Sequence, residues 1–97
     1  MDLMKYIPVG RKNAITAEIL AARAGYRSVR ALMQDIHNLR ANGKLILSAT
    51  ERPQGYFIPG ADDKEEVRHF LCSMRSRINK IEVAARPAEQ YLKNNSI

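Results

Sequence analysis

Apolar residues recur along this chain with helical, strand and heptad spacing in turn, and each spacing predicts a different element. Leu3, Met4 and Ile7 have helical spacing, so Asp2 to Ile7 is expected to form a short first helix that Pro8 and Gly10 terminate. Thr16 is a good N-cap for a helix over residues 17–24, with Ile19 and Leu20 on its apolar face and Glu18 favourably placed in the first turn. Gly25 supplies a turn, and Ser28 caps a further helix. In that helix Val29, Leu32, Ile36 and Leu39 repeat at three, four and three residues until Gly43 stops it. The runs Leu45 to Ala49 and Gly55 to Ile58 then have strand composition. Thr50 to Gln54 between them is polar and contains a proline, so the pair reads as a hairpin with a five-residue tip. Asn13 to Ile15 is too short to assign by periodicity and leaves room for a third small strand beside the hairpin.

Pro59-Gly60 marks a boundary in this pattern. Asp62 with Glu65 three residues later resembles a capping box and opens a long helical segment. Within it Val67, Leu71, Met74, Ile78, Ile81 and Ala85 are spaced four, three, four, three and four, the seam of a coiled coil. Ala88 and Leu92 continue the register. Pro87 lacks a backbone donor and clashes with the preceding turn, so a kink or an end is expected near Arg86. The expected organisation is one domain over residues 1–60, a dimerisation helix over 61–93, and a frayed tail over 94–97. Phe70 and Val83 lie off the strict seam and widen the apolar face, as they would if the helix packed on its own domain instead.

These elements predict an α+β fold, mostly α. Two helices joined by a short glycine-containing turn and followed by a hairpin make a winged helix-turn-helix: three helices with a two- or three-stranded wing, then a long C-terminal helix. A chain of 97 residues has room for one modest core and no second domain of ordinary size. Charge sharpens the reading, because the net +6 is unevenly spread. Residues 1–60 carry nine Lys/Arg against four Asp/Glu, whereas residues 61–97 carry seven against six. The basic surplus falls on the helix-turn-helix region, as a phosphate-binding surface requires.

Ile36-His37-Asn38-Leu39-Arg40-Ala41-Asn42-Gly43, then Ile46 and Ser48, then Gly55-Tyr56-Phe57-Ile58-Pro59 together resemble the winged-helix modules of bacterial and phage regulators, of the biotin-repressor type. With the Gly10-Arg11-Lys12-Asn13-Ala14 loop, the Val29-Arg30 pair and the trailing helix, the chain is also similar to the short winged-helix proteins encoded in prophages of Gram-positive bacteria. The resemblance covers residues 1–60 and implies binding of double-stranded DNA.

Site residues follow from the direction of the helix over residues 29–41. With Leu32 and Ile36 facing inward, steps of about 100 degrees per residue turn Arg30, Gln34, His37 and Ala41 outward, flanked by Arg27 and Asn38, a face expected to hold no large apolar residue. Arg30, Gln34, His37 and Asn38 are the candidate base readers. Arginine pairs bidentately with guanine, and glutamine with adenine. Arg27 and Ser28 at the helix start, Lys44, Arg52 and Gln54 on or beside the wing, and Arg11 with Lys12 in the preceding loop are candidates for the DNA backbone. Arg40 lies nearer the buried side; it either pairs with an acidic residue or packs along its stem, and is not counted among the readers. Tyr56 and Phe57 alternate faces of the second wing strand, so one of them belongs to the core. Val67, Leu71, Met74, Ile78 and Ile81 form the expected homodimer seam, in which a parallel pair would bring Arg77 to the partner's Glu82.

Other chemistries find little footing. Gly10-Arg11-Lys12 lacks the second glycine and the Lys-Ser/Thr step of a nucleotide-binding loop. His37 and His69 have no Cys or second His at ligand spacing, and Asp62, Asp63, Glu65 and Glu66 lack the glycine and alternation of a calcium loop, so no metal or cofactor is expected. Neither a nucleophile with a positioned base nor a small-molecule site is discernible, which argues against an enzyme. The lone Cys72 suits a reducing cytoplasm. No apolar run approaches the roughly 18 residues of a membrane span, and the start of the chain lacks the pattern of a secretion signal. The alternative to a DNA-binding regulator is a protein-binding adaptor that uses the same fold in a phage replication or packaging complex.

Overall fold

The computed structural model describes residues 2–95 and is an α+β fold, mostly helical. Its elements are α1 (Ala17–Ala24), α2 (Val29–Ala41), the antiparallel strands β1 (Leu47–Ala49) and β2 (Gly55–Phe57), and the long helix α3 (Lys64–Asn95). The described residues divide into two compact units after Val67, so the first turn of α3 belongs with the elements before it.

The expected first helix is a single 3-10 turn, Leu3–Tyr6, which Asp2 caps by accepting from Met4 N at 3.1 Å. Pro8 explains its brevity: a residue before proline is driven out of the helical region, and Ile7 is extended at φ −86°, ψ 121°. Leu3 and Ile7 still reach the core. After it, Arg11–Asn13 form another 3-10 turn where a plain loop was expected.

α1 begins as its sequence requires, with Thr16 Oγ1 accepting from Ile19 N, and ends at Gly25 in the left-handed conformation. Leu20, Ala21 and Ala24 are buried, while Ile19 is half exposed. In α2 the Ser28 hydroxyl oxygen accepts from Ala31 N at 3.1 Å, and Leu32 and Ile36 are fully buried, with Val29 and Leu39 packed beside them. These two helices, the N-terminal turn and Ile46 enclose one hydrophobic core, against which Tyr56 and Ile58 pack.

The hairpin pairs Leu47 with Phe57, Ser48 with Tyr56 and Ala49 with Gly55, leaving the predicted five-residue tip. β1 is shorter than the expected run and begins at Leu47; before it Leu45 is exposed and Ile46 is buried. Phe57 is buried, and Tyr56 on the opposite face is half-buried. The other edge of β2 is also occupied. Ile15 makes an antiparallel bridge to Tyr56, with backbone bonds of 2.8 and 3.2 Å, and Val9 a parallel bridge to Ile58. The anticipated third strand is therefore a one-residue bridge. Gly55 makes it possible: its φ is +119°, and a Cβ there would sit 1.7 Å from the Ile15 carbonyl oxygen.

Asp63, rather than Asp62, stands immediately before α3. A turn closed by Asp63 N donating to Gly60 O shifts the start by one residue, and the Asp63 carboxylate accepts from Gly60 N (2.7 Å) and Arg11 N (2.9 Å). The first helical residue is thus Lys64, one position later than a cap at Asp62 would give. At its other end α3 continues through Pro87 to Asn95, so the helix does not end near Arg86 and the expected fray covers helical residues at 94 and 95; residues 96 and 97 lie outside those described. Proline forfeits its own bond to the carbonyl four residues back, which belongs to the half-exposed Val83.

Candidate nucleic-acid interface

Burial of Leu32 and Ile36 decides which side of α2 meets solvent. Arg30, Ala31, Gln34, His37, Asn38 and Ala41 are all exposed, with Arg27 and Ser28 exposed at the helix start. Gln34 Nε2 donates to Asn38 Oδ1 at 3.3 Å, one turn on, which holds two of the candidate readers together. Ser28 Oγ is already committed as acceptor to Ala31 N, leaving its hydroxyl hydrogen available to an anion. The surface is less uniformly polar than expected, because Met33, at the flank of this face, is 51% exposed.

One acidic side chain shares α2, and the fold holds it aside. Tyr26 OH, just after α1, donates to Asp35 Oδ2 at 2.6 Å. Burial first, then this hydrogen bond and the carboxylate charge, push the Tyr26 phenol up to about 12.

Two arginines brace the hairpin from opposite ends. Arg40 donates through Nε and Nη2 to the Ile46 carbonyl at 2.9 and 2.7 Å, and its guanidinium lies 5.9 Å from the Tyr56 ring centroid. Burial pulls it below the ordinary arginine value, opposed by Tyr56. A backbone carbonyl and an aromatic ring are thus among its partners. Arg11, expected to hold phosphate, instead turns its guanidinium onto the tip of the hairpin: Nη1 donates to Pro53 O at 2.8 Å and Nη2 to Glu51 O at 2.9 Å. The same group lies 5.8 Å from the Phe57 ring and 3.7 Å from Glu66 in the first turn of α3. Nothing in the periodicity marks Arg11 as a brace. The only sequence hint is that Gly10 and the following turn deliver it beside a strand that comes more than 40 residues later.

Lys12, Lys44 and Arg52 are exposed, as is Gln54, whose amide donates to Thr50 O at 2.7 Å and closes the tip on itself. Lys12 and Arg52 line a shallow depression of about 530 Å³ together with Asp62, Asp63 and Glu66, a mixed charge that favours no single ligand class. Among the described residues no group of three His, Cys, Asp or Glu side chains is placed to hold a metal ion.

Along α3 no residue is buried. Of the expected seam, Val67 and Met74 are half-buried, and Leu71, Ile78 and Ile81 are 50%, 55% and 68% exposed. Among the described residues no helix is long and apolar enough to cross a membrane. Comparison with protein-family models, with curated proteins and with solved structures returned no match.

Proposed function

We propose that the first unit is a winged helix-turn-helix that binds double-stranded DNA sequence-specifically, and that the chain acts as a dimeric transcriptional regulator of a bacterium or its prophage. The observation that carries this reading is α2 itself, with Leu32 and Ile36 fully buried and Arg30, Gln34, His37 and Asn38 on the opposite, exposed face. A helix of this kind enters the major groove with its N-terminal half nearest the bases, where Arg30 and Gln34 would read guanine and adenine. Arg27 and Ser28 would hold phosphate at the helix start, and Lys12, Lys44, Arg52 and Gln54 would contact the backbone. Arg11 and Arg40 serve this surface indirectly, by setting the hairpin's position. Two half-sites contacted by a dimer would supply the affinity that so few base contacts lack alone.

Selection of bound sites from random duplex DNA, with Arg30→Ala and Gln34→Ala carried in parallel, tests the proposal. An inverted-repeat motif is expected, degraded in both variants. A dimer neutralising about six phosphates should also lose on the order of a thousandfold in affinity between about 50 and 200 mM salt. The half-exposed Met33 beside the reading face favours a second reading, a protein-binding adaptor in a phage replication or packaging complex. Under that reading the wild type enriches no motif, and Met33→Ala weakens binding to the protein partner.

A further inference from the structure

We propose that α3 pairs with α3 of a second copy in the antiparallel sense, in a register that sets Ile78 opposite the partner's Ile81. This rests on the dimer proposed above and fixes its orientation. The continuous helix makes the question well posed, because the heptad seam now runs unbroken from Lys64 to Asn95. Pro87 sits on the flank turned away from the seam, where its missing donor does not disturb the contact face.

The two orientations differ in what each seam residue meets. In the antiparallel register Val67 faces the partner's Leu92, Leu71 the partner's Ala88 and Met74 the partner's Ala85, so each alanine of the seam packs against a large side chain. The terminal layers set Lys64 against the partner's Asn95. In a parallel pair every seam residue meets its own copy: Ala85 and Ala88 each face alanine, leaving thin layers, and Lys64 faces Lys64, a like-charge contact.

Charge beside the seam discriminates more sharply. In the antiparallel register Arg75 lies opposite the partner's Glu82, and Arg68 opposite the partner's Glu89, each contact occurring twice by symmetry. The other flank sets Phe70 against the partner's Tyr91. A parallel pair retains the Arg77–Glu82 contact but leaves Arg75 opposite Phe70 and Glu89 opposite Ala84. The antiparallel arrangement therefore sets two arginines opposite two glutamates of the partner along one flank, and it separates the two Val67 positions, where the first units join, by about 38 Å along the rod at 1.5 Å per residue.

A charge exchange in the full chain reads the orientation, with dimer dissociation followed by sedimentation equilibrium. Arg75→Glu should weaken the dimer roughly tenfold by converting two attractive contacts to repulsive ones, and adding Glu82→Arg should restore it to within about twofold. In a parallel pair the single change would have little effect and the double change would weaken the dimer, because the new cation at position 82 would oppose the partner's Arg77. Spin labels at Gln90→Cys in a Cys72→Ser background give an independent distance: an axial offset of about 31 Å is expected, against none in a parallel pair. A wild type that is monomeric throughout would overturn the dimer itself. A dimer without rescue and without the offset would overturn only its orientation.

Discussion

Gly55 is where the hairpin, the Ile15 bridge and the start of α1 meet, and its replacement by alanine, the addition of a single methyl group, should destabilise the domain strongly. A Cβ at this position would lie 1.7 Å from Ile15 O, 2.2 Å from Ile15 C and 2.7 Å from Thr16 N. All three are backbone atoms, so no side-chain rotation relieves the clash. Relief requires Ile15 to withdraw, which breaks Tyr56 N to Ile15 O (2.8 Å) and Ile15 N to Tyr56 O (3.2 Å). Two such bonds are worth about 2 kcal/mol together. Holding an alanine at φ +119° adds roughly 1–2 kcal/mol. The Thr16 cap of α1 lies on the displaced segment and puts up to about 1 kcal/mol more at risk. The expected loss is therefore about 3–5 kcal/mol, a large part of the stability of a small domain.

Gly43→Ala isolates the clash from the backbone conformation. Gly43 has φ +88° with nothing within 4 Å of an added Cβ, so its alanine variant should lose only about 1–2 kcal/mol. Urea denaturation followed by far-UV circular dichroism, analysed with the m-value free to vary, compares the two. Gly55→Ala should be the less stable by about 2 kcal/mol or more, with melting lowered by a further 8 °C or so. Equal losses in the two variants would refute the reasoning, since they would mean that the Ile15 bridge is not formed or contributes nothing.

Two further outcomes follow from the same geometry. Arg11→Ala should release the tip of the hairpin from the loop before α1, speeding amide exchange at residues 50–54 and costing about 1–3 kcal/mol, and Arg11→Lys should not restore protection because one ammonium lacks the fork that spans two carbonyls; unchanged exchange in the alanine variant would remove Arg11 from this role. Tyr26 should titrate near 12 by ultraviolet absorbance, a component lost in Tyr26→Phe and moved to lower pH in Asp35→Asn. Because the folded phenol releases its proton at a higher pH than the ordinary 10.0, its contribution to stability is complete below pH 10 and lost as pH rises from 10 to 12; a variant Tyr26→Phe whose alkaline stability falls over the same window as the wild type would contradict this.

Elements carried by local signals were legible in the residues themselves. Thr16 and Ser28 cap the helices they were expected to cap, and the three-four-three recurrence of Val29, Leu32, Ile36 and Leu39 set the inward direction of α2 and with it the exposed face. Capping and periodicity act within one or two turns, so a linear reading captures them. Errors arose where a neighbour in the chain competed with the pattern. Pro8 cut the first helix to one 3-10 turn, the Gly60–Asp63 turn moved the start of α3 past Asp62, and the exposed helix surface around Pro87 absorbed a loss that would end a shorter helix.

The two arginine braces mark the deeper limit. In the linear pattern Arg11 and Lys12 are equivalent cations in a loop, and both are expected to hold phosphate. Their separation comes from what lies opposite them across the fold: Arg11 meets two unpaired carbonyls at the hairpin tip, the Phe57 ring and Glu66, whereas Lys12 meets solvent. A planar donor fork matches that pair of carbonyls, and burying it there satisfies backbone groups that a polar turn would otherwise leave to water. Arg40 does the same at the base of the hairpin through Ile46 O. Basic residues in this unit consequently have two roles, and counting charge alone overstates the cations available to an anionic partner. The proposed interface rests on Arg27, Arg30, Lys12, Lys44 and Arg52, while Arg11 and Arg40 set the position of the hairpin that carries part of it. Their substitution should alter binding through the hairpin's mobility, with much of the salt dependence retained, and loss of Lys12 or Arg52 should reduce the salt slope by about one each.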